Sequence, residues 1–276
     1  MSDIVCPVCF RHCRLSPGQT GFCRARRNEN GKSVCTSYGK ISAMALDPVE
    51  KKPLAHFFPG SKVLSVGSFG CNMNCPFCQN DSISRAGEDS VEWRNISPEE
   101  LADIAHKLIP QGNIGAAFTY NEPLVAYEYV RDAARIIKSM GMKNVIVTNG
   151  AFCTEILDEL LPLTDAFNID LKGFSNEWYG ALGGELETVK VFIQKASKDA
   201  HVELTTLIVP GGNDSEEDMR NLARWVASLD ASIPLHITRF FPRYQYSDRN
   251  PTDVVLLKRL SEIAKESLES VFIGNV

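Results

Sequence analysis

The stretch GCNMNCPFCQN, residues 70–80, places Cys71, Cys75 and Cys78 in a C-x3-C-x2-C spacing with no fourth cysteine nearby. A structural zinc site takes four protein ligands, and so does an ordinary iron–sulfur cluster. Three thiolates can hold three irons of a cubane and leave the fourth iron for an external ligand. The competing reading is a zinc site completed by a distant residue such as His56. Working outward, the apolar run KVLSVGS (62–68) leads into this loop and reads as a strand.

Downstream the pattern alternates. IGAAFTY (114–120), KNVIVTN (143–149), DAFNIDL (165–171), HVELTTLIV (201–209) and PLHITRF (234–240) read as further strands. Stretches of period 3.6 separate them. SPEELADIAHKLI opens with Ser97 as N-cap, Pro98 at the first helical position and Glu100 three after the cap. Ser215 caps SEEDMRNLARWVASL in the same way. About six strand–helix units imply a parallel sheet with right-handed crossovers, either a partial barrel or a doubly wound sheet. The expected organisation is a cysteine-rich N-terminal extension, 1–60, followed by an α/β domain, 61–276.

Composition narrows the function classes. The chain has 276 residues, 44% of them hydrophobic, and a formal net charge of -5, which disfavours non-specific gripping of nucleic acid. The one dense basic cluster, Arg24, Arg26 and Arg27, reads as solvated surface. MSDIVCPVCF has no apolar signal-type run, and no uncharged apolar stretch reaches the roughly 18 residues a bilayer requires. The expectation is a soluble, cytoplasmic protein with no membrane partner. Nine cysteines in a reducing compartment point to metal or redox chemistry rather than disulfides. Cys153, isolated from the others, reads as a small buried apolar residue.

In parallel α/β folds the chemistry sits where strands end and loops to helices begin. TYNEP places Glu122 at one such end, TNG places Thr148 and Asn149 at the next, and NIDLKG supplies Asp170 and Lys172. VPGGND and FFPRY follow. Glu122 reads either as a helix cap or as a carboxylate that holds an ammonium group. Asp170 and Lys172 lie two apart and point the same way on a strand, as an ion pair or as contacts for a ligand. His236 reads as a satisfied histidine within its strand, and His12 as an outside candidate ligand. Cys6, Cys9, Cys13 and Cys23 have the count for a closed four-thiolate site, zinc or a second cluster, with tetrahedral zinc preferred and packed free thiols the alternative.

CNMNCPFC resembles the cluster loop of the radical SAM superfamily, with Phe77 at its aromatic position. TNG, IDLKG and TTLIVPGGND follow in the order found in glycyl-radical-enzyme activating enzymes, typified by pyruvate formate-lyase activase. CPVCFRHCRLSPGQTGFCRARRNENGK, DPVEKKPLAHFFPGS and TYNEP resemble the AmmeMemoRadiSam-system radical SAM enzymes. The resemblance implies a partial (β/α)6 TIM-type barrel. It implies a [4Fe-4S] cluster on Cys71, Cys75 and Cys78 whose open iron binds S-adenosylmethionine. It implies as product a 5′-deoxyadenosyl radical that would take hydrogen from a substrate, with a glycine of a protein partner the leading candidate. It further implies Glu122 on the methionine ammonium, Lys172 on its carboxylate, and Asp170 on the ribose or a cation. Thr148 and Asn149 would lie beside the sugar, and Phe77 and Val209 would flank the adenine. Flavodoxin or ferredoxin would be the electron donor. Val147 stands where activases carry an acidic residue, and Tyr244 where they carry a histidine.

Overall fold

The computed structural model describes residues 2–276. Eight strands form one sheet: β1 (Ala43–Pro48), β2 (Lys62–Gly67), β3 (Asn113–Phe118), β4 (Lys143–Thr148), β5 (Ala166–Asp170), β6 (His201–Ile208), β7 (Leu235–Arg239) and β8 (Val271–Gly274). Their order across the sheet is β8-β7-β6-β5-β4-β3-β2-β1, the order of the chain. A doubly wound sheet would reverse direction at a switch point. This one does not, and that settles the choice left open by periodicity in favour of a partial barrel. β2 to β8 run parallel, and β1 joins β2 antiparallel, Ala43 opposite Gly67 and Pro48 opposite Lys62. The end strands β1 and β8 do not pair with each other, so the barrel stays open along one side.

Six long helices return the chain from one strand to the next: α1 (Pro98–Lys107), α2 (Tyr127–Ser139), α3 (Thr154–Leu160), α4 (Leu186–Asp199), α5 (Glu216–Asp230) and α6 (Val254–Lys265). The expected caps form, with Ser97 Oγ accepting from Glu100 N at 3.2 Å and Ser215 Oγ from Asp218 N at 3.1 Å. Each caps an otherwise orphan amide of the first turn. α2 buries Val130, Ala133, Ala134 and Ile137. Those positions repeat at three and four residues, so one stripe faces the sheet. α1 packs on α2, α2 on α3, α3 on α4, and α5 on α6 in an outer layer. The expected strands are present to within two residues. Periodicity overlooked β1 and β8, both at sheet edges. β1 comes from within 1–60, so the expected extension contributes a strand to the barrel.

The link between β1 and β2 crosses the N-terminal ends of the strands. There Val49, Leu54 and Phe57 form a cluster with Val63, Ala117, Val145 and Ala166. Below it, the fully buried Glu203 accepts from Ala55 N and His56 N at 2.8 Å each, and pairs with His201 Nε2 at 2.9 Å and His236 Nε2 at 2.6 Å. His236 is thus a satisfied interior histidine. His56 belongs to this plug at the N-terminal ends of the strands, away from the cysteine loop that follows β2, and does not complete a site with Cys71.

The extension before β1 holds little regular structure: a pair Ile4–Val5 with Arg14–Leu15, a hairpin Arg26–Glu29 with Lys32–Cys35, and Lys40–Ile41 paired with Arg94–Asn95. Its basic cluster departs from the solvated reading. Arg26 is 3% exposed, donates to Glu128 at 2.6 and 2.8 Å, and donates to Val125 O at 3.0 Å. A bidentate guanidinium–carboxylate pair can be buried where an unpaired charge cannot. Hydrophobic spacing carries no sign of a partner a hundred residues away.

Candidate active site

The cysteine loop leaves the C-terminal end of β2 and is held by the TYNEP loop after β3. Asn121 Oδ1 accepts from Ser68 N at 2.9 Å, Asn121 Nδ2 donates to Gly70 O at 3.1 Å, and Glu122 N donates to the same oxygen at 3.3 Å. Asn80 Nδ2 closes the far side on Tyr120 O at 2.8 Å. Asn72, fully buried, donates to Ala151 O at 2.9 Å and accepts from Asn149 Nδ2 at 2.8 Å. Asn149 Nδ2 also approaches Cys71 Sγ at 3.7 Å. None of Asn72, Asn80 and Asn121 was singled out in the sequence. Their one signal is a crowding of amides around the cysteines.

Glu122 is buried and sits at the centre of these loops. Its carboxylate accepts from Thr148 Oγ1 at 2.8 Å, Asn149 N at 2.8 Å and Leu124 N at 3.1 Å. The bond from Leu124 N caps the short helical turn Pro123–Ala126, so the capping role holds. The bonds to Thr148 and Asn149 tie three expected site residues into one network. Burial pushes the Glu122 carboxyl up to about 7, against the downward pull of its three donors, and the nearby Asp170 adds to the rise. A carboxylate held so far from water gains most from an arriving cation.

On the next strand, Lys172 Nζ pairs with Asp170 Oδ2 at 2.8 Å, with side chains 16% and 35% exposed. Burial works against the ammonium, but Asp170 and the Cys75 thiol outweigh it and hold Lys172 well above its usual range. Burial likewise pushes the Cys75 thiol up to about 11, with Lys172 pulling it down. Cys71 rises well above the ordinary thiol, through burial first and Glu122 second. The cysteines, Glu122, Asp170 and Lys172 thus share one electrostatic neighbourhood at the C-terminal ends of the strands.

Phe77 is buried under two rings absent from the sequence-based set. Trp178 stacks on it at 6.0 Å with 13° between planes, and Tyr246 lies tilted at 6.2 Å. Trp178 Nε1 donates to Lys172 O at 2.7 Å, so the aromatic wall and the Lys172 backbone are one unit. A Cβ at Gly212 would overlap the Trp178 ring, which explains one glycine of VPGGND. Val209 is fully buried and donates from its amide to Asn213 Oδ1 at 2.8 Å; its side chain offers no open face. Tyr244 opens a single turn whose Gln245 N donates to Pro76 O at 2.9 Å, joining the loop after β7 to the cysteine loop. Cys153 is half-buried rather than buried, 4.0 Å from His12 Nε2.

Among the described residues no three His, Cys, Asp or Glu side chains gather as ligands of a single ion. A cubane takes each thiolate on a separate iron, so its sulfurs need not converge on one point. Three thiols on one loop, bordered by a buried carboxylate and an ion-paired lysine, fit a cluster with one open corner better than a mononuclear site.

Comparison with known proteins agrees with this geometry. Residues 65–226 match the Radical SAM superfamily. An uncharacterized protein of Methanocaldococcus jannaschii is 40% identical over 278 residues, covering 100% of this chain and 82% of its own. Pyruvate formate-lyase 1-activating enzyme of Escherichia coli is 27% identical over 165 residues, 58% of this chain and 66% of that enzyme. The crystal structure of Streptococcus suis SuiB bound to S-adenosylmethionine superposes with a TM-score of 0.59 at 13% identity, over 75% of this chain and 48% of that one, a likeness of fold. The chain belongs to the radical SAM superfamily, with homology to the pyruvate formate-lyase activating enzymes, and membership implies a [4Fe-4S] cluster and S-adenosylmethionine.

Proposed function

We propose that the chain is a radical S-adenosylmethionine enzyme of the activase type, which takes a hydrogen atom from a glycine of a protein partner. The observation that carries the reading is the join between Cys71, Asn149, Thr148 and Glu122, which places a buried carboxylate beside a three-thiol loop. When bound, the cluster and S-adenosylmethionine supply one-electron cleavage of the sulfonium to methionine and a 5′-deoxyadenosyl radical.

The chain's own part is positioning. Cys71, Cys75 and Cys78 would hold three irons. Glu122 would receive the methionine ammonium, which drives its carboxyl to the charged form that burial otherwise disfavours. Lys172 would exchange Asp170 for the methionine carboxylate and free Asp170 for ribose hydroxyls or a cation. Thr148 and Asn149 would border the sugar, and Phe77 with Trp178 would offer the adenine an aromatic wall. The crowded loops would limit the access of water to the reacting atoms. A flavodoxin or ferredoxin would deliver the electron to the cysteine loop. The activase assignment is supported by homology to the Escherichia coli enzyme, of whose length this chain spans about two thirds.

Anaerobic reconstitution with iron, sulfide, reductant and S-adenosylmethionine tests the reaction class. Release of 5′-deoxyadenosine is the expected result, and a Cys71→Ala/Cys75→Ala/Cys78→Ala variant makes none. Glycyl radical enzymes added to the active protein test the substrate by EPR. A doublet on a glycine supports the activase reading. Deoxyadenosine formed without a glycyl radical moves the substrate to a different protein, an RNA or a small molecule.

A further inference from the structure

The mechanism leaves four clustered cysteines unused. Cys6, Cys9 and Cys23 are buried, Cys13 is half-buried, and none is in a disulfide. The backbone gathers them. Cys6 N donates to Cys13 O at 2.9 Å across the base of a loop, and His12 N donates to Cys9 O at 3.1 Å within it. His12 sits at a φ of 40°, a left-handed conformation that turns the loop sharply. Cys13 Sγ lies 3.9 Å from where a Cβ would stand on Gly21, at the start of the turn that carries Cys23. The Cys9 and Cys23 thiols each lie within electrostatic reach of Cys6 and Cys13.

This group is seated on the first cysteine loop. A Cβ at Gly70 would overlap the carbonyl oxygen of Cys23, so the two loops touch through the backbone next to Cys71. Arg11, between Cys9 and Cys13 in sequence, donates to Asn72 O at 2.6 Å and to Gly183 O at 2.5 Å. Cys9 forms an isolated bridge with Phe152, just after the TNG turn. A guanidinium spanning both loops suits two neighbouring anionic centres.

We propose that Cys6, Cys9, Cys13 and Cys23 hold a second [4Fe-4S] cluster, closed by four thiolates and abutting the first. Zinc, which the cysteine count alone favours, needs four sulfurs about 2.3 Å from one point. A redox-inert zinc would make no use of the backbone contact between Cys23 and Gly70, whereas a cluster seated there could exchange electrons with a neighbour on the Cys71 loop.

The test is iron and acid-labile sulfide per chain after anaerobic reconstitution. Wild type is expected to hold about eight of each, two cubanes' worth. The Cys71→Ala/Cys75→Ala/Cys78→Ala variant is expected to keep about four of each. Its reduced EPR signal should be indifferent to added S-adenosylmethionine. Cys9→Ala and Cys23→Ala, checked for folding by circular dichroism, should lose that signal and retain one that responds to S-adenosylmethionine. The proposal is overturned if wild type stops at about four irons, if the triple variant binds no iron, or if it binds zinc instead. None of these readouts requires deoxyadenosine to form, so failure of the reaction class and failure of this centre are told apart.

Discussion

Glu122→Gln isolates the energetic consequence of burying a carboxylate without a cation. The Glu122 carboxyl stands at about 7, raised from 4.5 chiefly by burial. The unfolded chain holds it near 4.5, so the folded state binds its proton more tightly. Stability from this group therefore rises as pH falls through 7 and is complete below the unfolded value. Between pH 8 and pH 5.5 the linkage amounts to about 2 kcal/mol in favour of the folded protein at the lower pH. Other groups titrate over the same interval, so the measured quantity is a difference of differences. Urea unfolding of metal-free wild type and Glu122→Gln at both pH values supplies it. The variant lacks the titrating group, and its stability gain on acidification should be smaller by that amount. Equal gains in the two proteins would refute the claim that burial governs Glu122, and with it the reason for expecting a cation there.

Further outcomes follow from other contacts. Lys172→Met removes the partner of Asp170 and should weaken S-adenosylmethionine binding about 10-fold or more, the cost of one charged hydrogen bond, as read by equilibrium binding to the reconstituted protein. Arg26→Ala leaves Glu128 without its bidentate partner and should cost about 3 kcal/mol in chemical denaturation. Gly70→Ala meets both a φ of 90° and the Cys23 carbonyl. Limited proteolysis should then cut the N-terminal segment faster than in wild type. Burial alone would raise Glu203, but His201, His236 and the amides of Ala55 and His56 hold it far below the usual range. Its stabilisation is present above the unfolded pKa and is lost as pH falls. Glu203→Gln should accordingly flatten the acid limb of the stability profile.

Local pattern was enough for much of the molecule. The C-x3-C-x2-C spacing, the strand-to-helix alternation and the Ser97 and Ser215 caps depend on neighbours within one or two turns, and those are written in order along the chain. The polar residues at strand ends were readable for the same reason, because a parallel sheet of crossovers sends every such end to one side. The tertiary structure decided what depends on partners far apart. Sequential strand order chose the barrel over the doubly wound sheet. Trp178 reached Phe77 from a helix about a hundred residues later, and Arg11 reached Gly183 across 172 positions. Glu203, a lone acid in an apolar strand, became the anchor of a plug only when the β1–β2 link closed over it. Periodicity records which face of an element is buried. It carries no record of what that face meets, because the meeting is fixed by how elements far apart in the chain fill one volume.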